Sequence, residues 1–154
     1  MKSEEVKLIS KNKKAWHSYT ISTEYEAGMV LVGSEVKSLR SGNVNLKDSY
    51  AQVKNGEVFV HQMHIGQYPY AHHGNHDPLR PRKLLLHKYE IRKIVGKINE
   101  KGHALIPLSI YFKGGRIKMK VGLGKGKKLF DKRETIKNRE AQRELDRINK
   151  HSKY

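Results

Sequence analysis

Two turn signals constrain this chain more than anything else in it. Between residues 50–53 and 58–60 stands Lys54-Asn55-Gly56-Glu57, and Asn-Gly supplies the two positive φ angles that a tight hairpin demands. Between residues 104–111 and 117–123 stands Lys113-Gly114-Gly115, a second hairpin signal. Beyond it Lys118 and Lys120 alternate with Ile117, Met119 and Val121, which puts the lysines on the solvent face of a half-buried strand. Local hairpins of this kind build antiparallel sheets.

The remaining segments fit around them. Residues 16–32 read as two strands, with Tyr19 and Ile21 alternating against polar neighbours and Glu26-Ala27-Gly28 breaking the run. Residues 34–40 read as a short helix with Ser34 at the N-cap, Glu35 in the first turn, Arg40 near the end and Gly42 beyond. Residues 66–82 hold all but one of the prolines and are expected to cross the surface as a loop. Residues 84–98 carry apolar side chains at 91, 94, 95 and 98, a helical spacing that Gly102 ends. About six strands, with helices inserted between hairpins, predict a mainly β fold. The expected form is an OB-like antiparallel β-barrel over residues 1–126, followed by a basic C-terminal tail over residues 127–154.

Charge then narrows the function. The 154 residues contain 32 Lys plus Arg against 15 Asp plus Glu, a formal charge of +17 and a pI near 10.0. Self-repulsion on that scale calls for a polyanionic partner. A membrane is the competing polyanion, but no apolar run approaches the roughly 20 residues of a spanning helix. Residues 1–10 do not read as a signal peptide. The absence of cysteine excludes disulfides, thiolate zinc sites and a Cys nucleophile, and agrees with an intracellular setting.

Residues 127–154 are mostly charged or amide, with Ile136, Ala141, Leu145 and Ile148 as aliphatic anchors. On a helix, Lys132, Arg139, Arg143, Arg147 and Lys150 fall within an arc of roughly 80°, with Ala141, Leu145 and Ile148 nearly opposite. Like charges four residues apart oppose that helix in water, and phosphates along the stripe reverse the sign. The tail is therefore expected to be disordered when free and helical when docked on RNA.

Candidate chemistry is sparse. The segment from Gly122 to Lys128 lacks the glycine spacing and terminal Ser or Thr of a nucleotide-binding loop, and reads as a flexible basic strap. His61, His64, His72, His73 and His76 invite a metal, yet have no carboxylate or thiol companions at ligand spacing, so an RNA-facing surface explains them more simply. No pair of residues stands out as general acid and base. Glu26 and Glu35 are acids in a basic protein. Glu26 suits reading of amino groups on base edges, whereas Glu35 equally suits a cap or salt bridge. Tyr19, Tyr50 and Tyr111 sit in strand patterns and are expected in the core. Phe130, among cations beyond the last strand, is expected to stack on bases.

In order and spacing, four motifs resemble the SmpB family, the protein partners of transfer-messenger RNA. They are Tyr25-Glu26-Ala27-Gly28, the run from Gly33 to Arg40, Arg82-Lys83-Leu84-Leu85-Leu86, and Gly126-Lys127-Lys128 leading into Asp131-Lys132-Arg133. The resemblance spans residue 12 to the C-terminus. It implies an OB-like barrel that clasps the tRNA-like domain, with Asn12, Glu26 and Leu85 at positions the family uses for RNA. It further implies a strap and tail that engage the decoding centre and mRNA channel of the small ribosomal subunit. Lys125, Lys127, Lys128, Phe130, Asp131, Lys132 and Arg133 belong to the strap, and Arg139, Arg143, Arg147 and Ile148 to the tail. Relatives commonly carry Tyr or His where Phe130 stands, so stacking is kept and a polar handle lost. Elongation factor Tu is implied within the delivered complex, with no cofactor, no metal, no catalysis and a cytoplasmic setting in bacteria or an organelle. By pattern alone Leu84 and Leu86 remain core residues.

Two other classes compete: a constitutive ribosomal or assembly protein bracing folded RNA, and an RNA-processing enzyme with a histidine-based site. The tail offers the first test. Hydrogen exchange on the free protein should find amides 127–154 unprotected, and protection there would overturn folding on binding.

Overall fold

A computed structural model of the chain describes residues 5–71, 74–100, 102–127, 141–145 and 147. Its elements are β1 (Val6–Lys11), α1 (Lys13–Ser18), β2 (Tyr19–Met29), α2 (Gly33–Arg40), β3 (Val44–Asn45) and β4 (Tyr50–Lys54). They continue with β5 (Glu57–His61), β6 (His64–Ile65), β7 (Arg82–Leu85), α3 (Lys88–Ile98), β8 (His103–Lys113) and β9 (Arg116–Gly126). All strand pairs among the described residues are antiparallel. β8, β4, β5, β7, β2 and β9 are bonded in that order and β9 returns to β8, so the sheet closes into a ring. β1 lies along β8 outside that closure, and β3 with β6 forms a separate ladder. This is the mainly β architecture with inserted helices that the hairpin signals predict.

Both hairpins form where their turn residues demand. Asn55 and Gly56 take φ of 52° and 76°, and Gly114 and Gly115 take 56° and 77°. With period 2 along each strand, one set of side chains fills the ring, including Ala27, Val58, Val60, Leu84, Val121 and Leu123. α3 lays Ile94 onto that core, with Ile91 and Ile98 beside it. The helical spacing is thus real, while Val95 is left partly exposed.

Several local expectations are corrected by packing. Residues 16–32 are not two strands: Trp16 lies in α1, and β2 runs unbroken through Glu26-Ala27-Gly28. Gly28 is not a turn residue. The Leu85 Cβ lies 3.3 Å from where a Gly28 Cβ would stand, so glycine lets β7 approach β2 closely. Leu84 belongs to β7, and the helix begins only at Lys88. Leu86 is partly buried against the core. α2 starts at Gly33 with Val32 at its N-cap, and Glu35 caps it instead of Ser34, its carboxylate accepting from Val32 N at 2.9 Å.

The glycine-rich strap is also shorter than expected, because β9 continues to Gly126. A Cβ on Gly122 would stand 2.8 Å from Leu108, and one on Gly124 would stand 2.9 Å from both Ile106 and Ile21. These glycines make room for a second apolar cluster of Ala15, Ile106 and Leu108, against which Tyr19 and Ile21 pack. Further on, residues 141–145 and 147 are helical and exposed, Leu145 included.

One buried ion pair ties these parts together. Glu35 and Arg82 are both fully buried and paired through the Arg82 Nε. The other guanidinium nitrogens donate to the carbonyls of Met63, Pro78 (3.2 Å) and Asp77 (3.3 Å). Burial alone pushes the Glu35 carboxyl up, but hydrogen bonds from Arg80, Val32 and Arg82 outweigh it and hold the carboxyl below its ordinary range. Arg82→Ala would take the buried guanidinium from that carboxylate, which keeps Arg80 and Val32, and would remove the side-chain donor to the Met63 carbonyl. A loss of about 3–5 kcal/mol is expected in urea unfolding, and a loss under about 1 kcal/mol would show that the pair does not hold the fold.

Candidate nucleic-acid interface

Strand register builds one outer face from residues far apart in sequence. Gly28 pairs with Leu85 on one side and Lys118 on the other, and Lys118 pairs with Tyr111. Two residues earlier on β2, Glu26 pairs with Lys120. Side chains two apart share a face, so Leu85 and Glu26, both predicted from the sequence, lie together among lysines.

Leu85 is 51% exposed whereas its neighbour Leu84 is 1% exposed, as alternation in β7 requires. It lines a cleft of about 320 Å³ with Gly28, Leu31, Val36, Arg116 and Lys118. An apolar floor edged by cations suits a sugar or base face with its phosphate alongside.

Glu26 is held in place rather than free. The buried Tyr111 hydroxyl donates to its Oε2, and Lys113 Nζ lies 3.2 Å from Oε1 and 3.3 Å from Oε2. The Tyr111 hydrogen bond is the main reason its carboxyl sits below the ordinary range, with Lys113 and Lys118 adding to it against burial. The reciprocal effect, after burial, raises the Tyr111 phenol above its usual value. A carboxylate has about four lone-pair sites, so Oε1 keeps acceptor capacity toward solvent.

Asn12 is elsewhere. It is buried at the start of α1, where Oδ1 accepts from Ala15 N at 3.3 Å and Nδ2 donates to the Pro107 carbonyl at 2.9 Å. Its amide is thus engaged inside the protein, clamping α1 onto β8. Lys125 and Lys127 are exposed at the end of β9 and just beyond, and Arg143 and Arg147 are exposed in the described helical residues. Lys128, Phe130, Asp131, Lys132, Arg133, Arg139 and Ile148 lie outside the described residues.

Other sequence-based expectations resolve differently. Glu35 is structural, a cap and an ion pair at once. Tyr111 is buried, whereas Tyr50, expected in the core, is 48% exposed and stacks on His61 with ring centroids 5.2 Å apart. It begins β4 on the outward side of the alternation. His76 Nε2 donates to the Ile65 carbonyl at 2.9 Å, so in the neutral ring Nδ1 accepts from Ser34 Oγ at 2.8 Å. Both ring nitrogens are therefore used within the fold. His72 and His73 lie outside the described residues.

Tyr111 and Lys113, the residues that orient Glu26, were missed by sequence reasoning. They lie 85 and 87 positions away, and no local pattern links them.

Known proteins resemble this chain over most of its length. The SmpB protein family model matches residues 9–151. An SsrA-binding protein of Syntrophobacter fumaroxidans is 55% identical over 148 residues, covering 96% of this chain and 92% of the relative. One from Geobacillus sp. (strain WCH70) is 58% identical over 143 residues, covering 93% and 92%. A solved structure described as "tmRNA-SmpB: a journey to the center of the bacterial ribosome" is similar with a TM-score of 0.65 and 45% identity, over 78% of this chain and 85% of the other.

The electrostatics of the face make a direct test. Tyr111→Phe removes the largest contribution lowering the Glu26 pKa, so a carbon-13 NMR titration of the Glu26 carboxyl should find its midpoint moved upward. In the wild type, stability linked to this group is present above the unfolded carboxyl pKa and is lost as pH falls through the lower folded value. A midpoint unchanged by the substitution would show that the lysines, not the phenol, hold the charge.

Proposed function

The chain belongs to the SmpB family, and on that premise we infer its function: it binds transfer-messenger RNA and acts with it on the ribosome in trans-translation. In doing so it rescues stalled ribosomes and allows incomplete proteins to be tagged for degradation. The observation that carries this reading is the near-full-length likeness to SsrA-binding proteins.

The chain's own chemistry supports a division of labour. Exposed lysines neutralise phosphates without regard to sequence, while Leu85 and the oriented Glu26 supply a shaped contact to the tRNA-like domain. A carboxylate near phosphate is repelled unless it accepts hydrogen bonds, and the amino groups of guanine and cytosine are the fitting donors. Asn12 contributes by setting α1 on β8, which makes it a positioning residue for the RNA surface. The closed β ring stands in for the anticodon arm that the tRNA-like domain lacks.

The strap and tail face the ribosome in this reading. Lys125, Lys127, Lys128, Asp131, Lys132 and Arg133 approach the decoding centre, with Phe130 stacking on ribosomal RNA. Arg139, Arg143, Arg147 and Ile148 follow the vacant mRNA channel as a helix. Elongation factor Tu travels in the delivered complex, and the protein works in the bacterial cytoplasm without cofactor or catalysis of its own.

Two substitutions separate these roles. Glu26→Ala should weaken binding to the tRNA-like domain roughly tenfold, the scale of one base-edge contact. Deletion after Asp131 should leave that binding intact and abolish rescue in a reconstituted stalled-ribosome assay. If the deletion abolishes RNA binding, the division of labour is wrong. Bulk tRNA competing equally with the tRNA-like domain would reduce the function to general structured-RNA binding.

A further inference from the structure

α2 separates two clefts. Val36 lines the one that holds Leu85, while Ser34 and Lys37 line a larger one of about 590 Å³ between the helix and the loop returning to β7. Nothing in the function above uses this second cleft.

Its chemistry is specific. Tyr68 presents a half-buried ring, with Lys37 Nζ 5.3 Å from its centroid and Tyr70 edge-on at 5.6 Å. That ring is held by its backbone: Asn75 Oδ1 accepts from Tyr68 N at 3.1 Å, and Asn75 Nδ2 donates to the Tyr68 carbonyl at 2.7 Å. His76, the next residue, is tied to Ser34 and Ile65, so the loop is fastened to α2 beside the ring. Arg80 borders the cleft with its Nη2 donating to Glu35, while its buried Nε has no hydrogen-bond partner among the described residues. Glu35 is shared between Arg80 and Arg82, and Asp77, also on the cleft wall, acts on Arg82, so with Lys37 the cleft sets three cations against two carboxylates.

We propose that this cleft is a second RNA subsite that takes a single unpaired nucleotide, its base against Tyr68 and its phosphate toward Lys37 and Arg80. An aromatic ring beside cations is how single-stranded bases are held, because every base has a stacking face. Lys37 is an exposed side chain on a flexible stem, and its ammonium moves from the ring to the phosphate as the base arrives. A phosphate-only site accounts for Lys37 and Arg80 but not for a tyrosine pinned by Asn75. The subsite rests on the RNA-binding reading and extends it: a strand leaving the Leu85 cleft crosses α2 to reach it.

The test uses the full-length nitrogen-15-labelled protein titrated with AMP, UMP and ribose 5-phosphate, which carries the same phosphate without a base. The nucleotides should saturably shift the amides of Gly33, Ser34 and Asn75, and ribose 5-phosphate should bind at least several-fold more weakly. Tyr68→Leu should weaken the nucleotides about tenfold and leave ribose 5-phosphate unchanged. Lys37→Gln, at an exposed helical position that does not endanger folding, should weaken all three ligands. Equal binding of ribose 5-phosphate, or nucleotide binding indifferent to Tyr68→Leu, would overturn the subsite. Binding of the tRNA-like domain is measured on the same samples to keep the two readings apart. If that RNA binds and the cleft ignores both nucleotides, the subsite fails alone. If the nucleotides bind and that RNA does not, the transfer-messenger RNA reading fails alone.

Discussion

The Glu35–Arg82 pair is the constraint on which the rest of this structure depends. A buried ion pair is costly to desolvate and is tolerated only when its remaining hydrogen-bonding groups are satisfied. Arg82 meets that condition by drawing in the carbonyls of Met63, Asp77 and Pro78, while Glu35 takes the Val32 N–H and a second arginine. One guanidinium thus joins α2, the segment after β5 and the long loop to β7. Because α2 stands between the two clefts, that pair also sets where each cleft opens. Leu85 follows Arg82 by three residues on the opposite face of the same strand, so anchoring one orients the other.

The same logic explains an acid on a basic surface. Glu26 lies among Lys113, Lys118 and Lys120, and the buried Tyr111 hydroxyl keeps its carboxylate ionised and aimed. Lysines alone would draw any phosphate chain to this face. In the proposed function, an oriented carboxylate there would reject bare phosphate and accept amino groups, adding selectivity to attraction.

Much of this was legible in the sequence. The Asn55-Gly56 and Gly114-Gly115 turns form as read, and the apolar spacing at 91, 94 and 98 faces the core. The failures have separate causes. Glycines at 28, 122 and 124 look like breaks or flexible links, yet each sits in a strand where another element comes too close for a Cβ. Trp16 was read into a strand because the Asn12 N-cap, whose Oδ1 accepts from Ala15 N, was not read as a helix start, and the Nδ2 bond that fixes this helix to Pro107 spans 95 positions. Tyr50 was read as core because alternation alone does not say which face is inside.

What the sequence alone determined is therefore what short-range physics controls: turn positions, strand and helix periods, an antiparallel class and the charge that demands a polyanion. The four motifs added the family. Only the tertiary structure decided which residues meet. Closing the ring set the register that puts Leu85 beside Gly28 and brings Tyr111 and Lys113 to Glu26, and packing of α1 on β8 buries Asn12. Such contacts depend on pairing between strands dozens of residues apart, and a one-residue slip would turn every side chain of a strand to the other face.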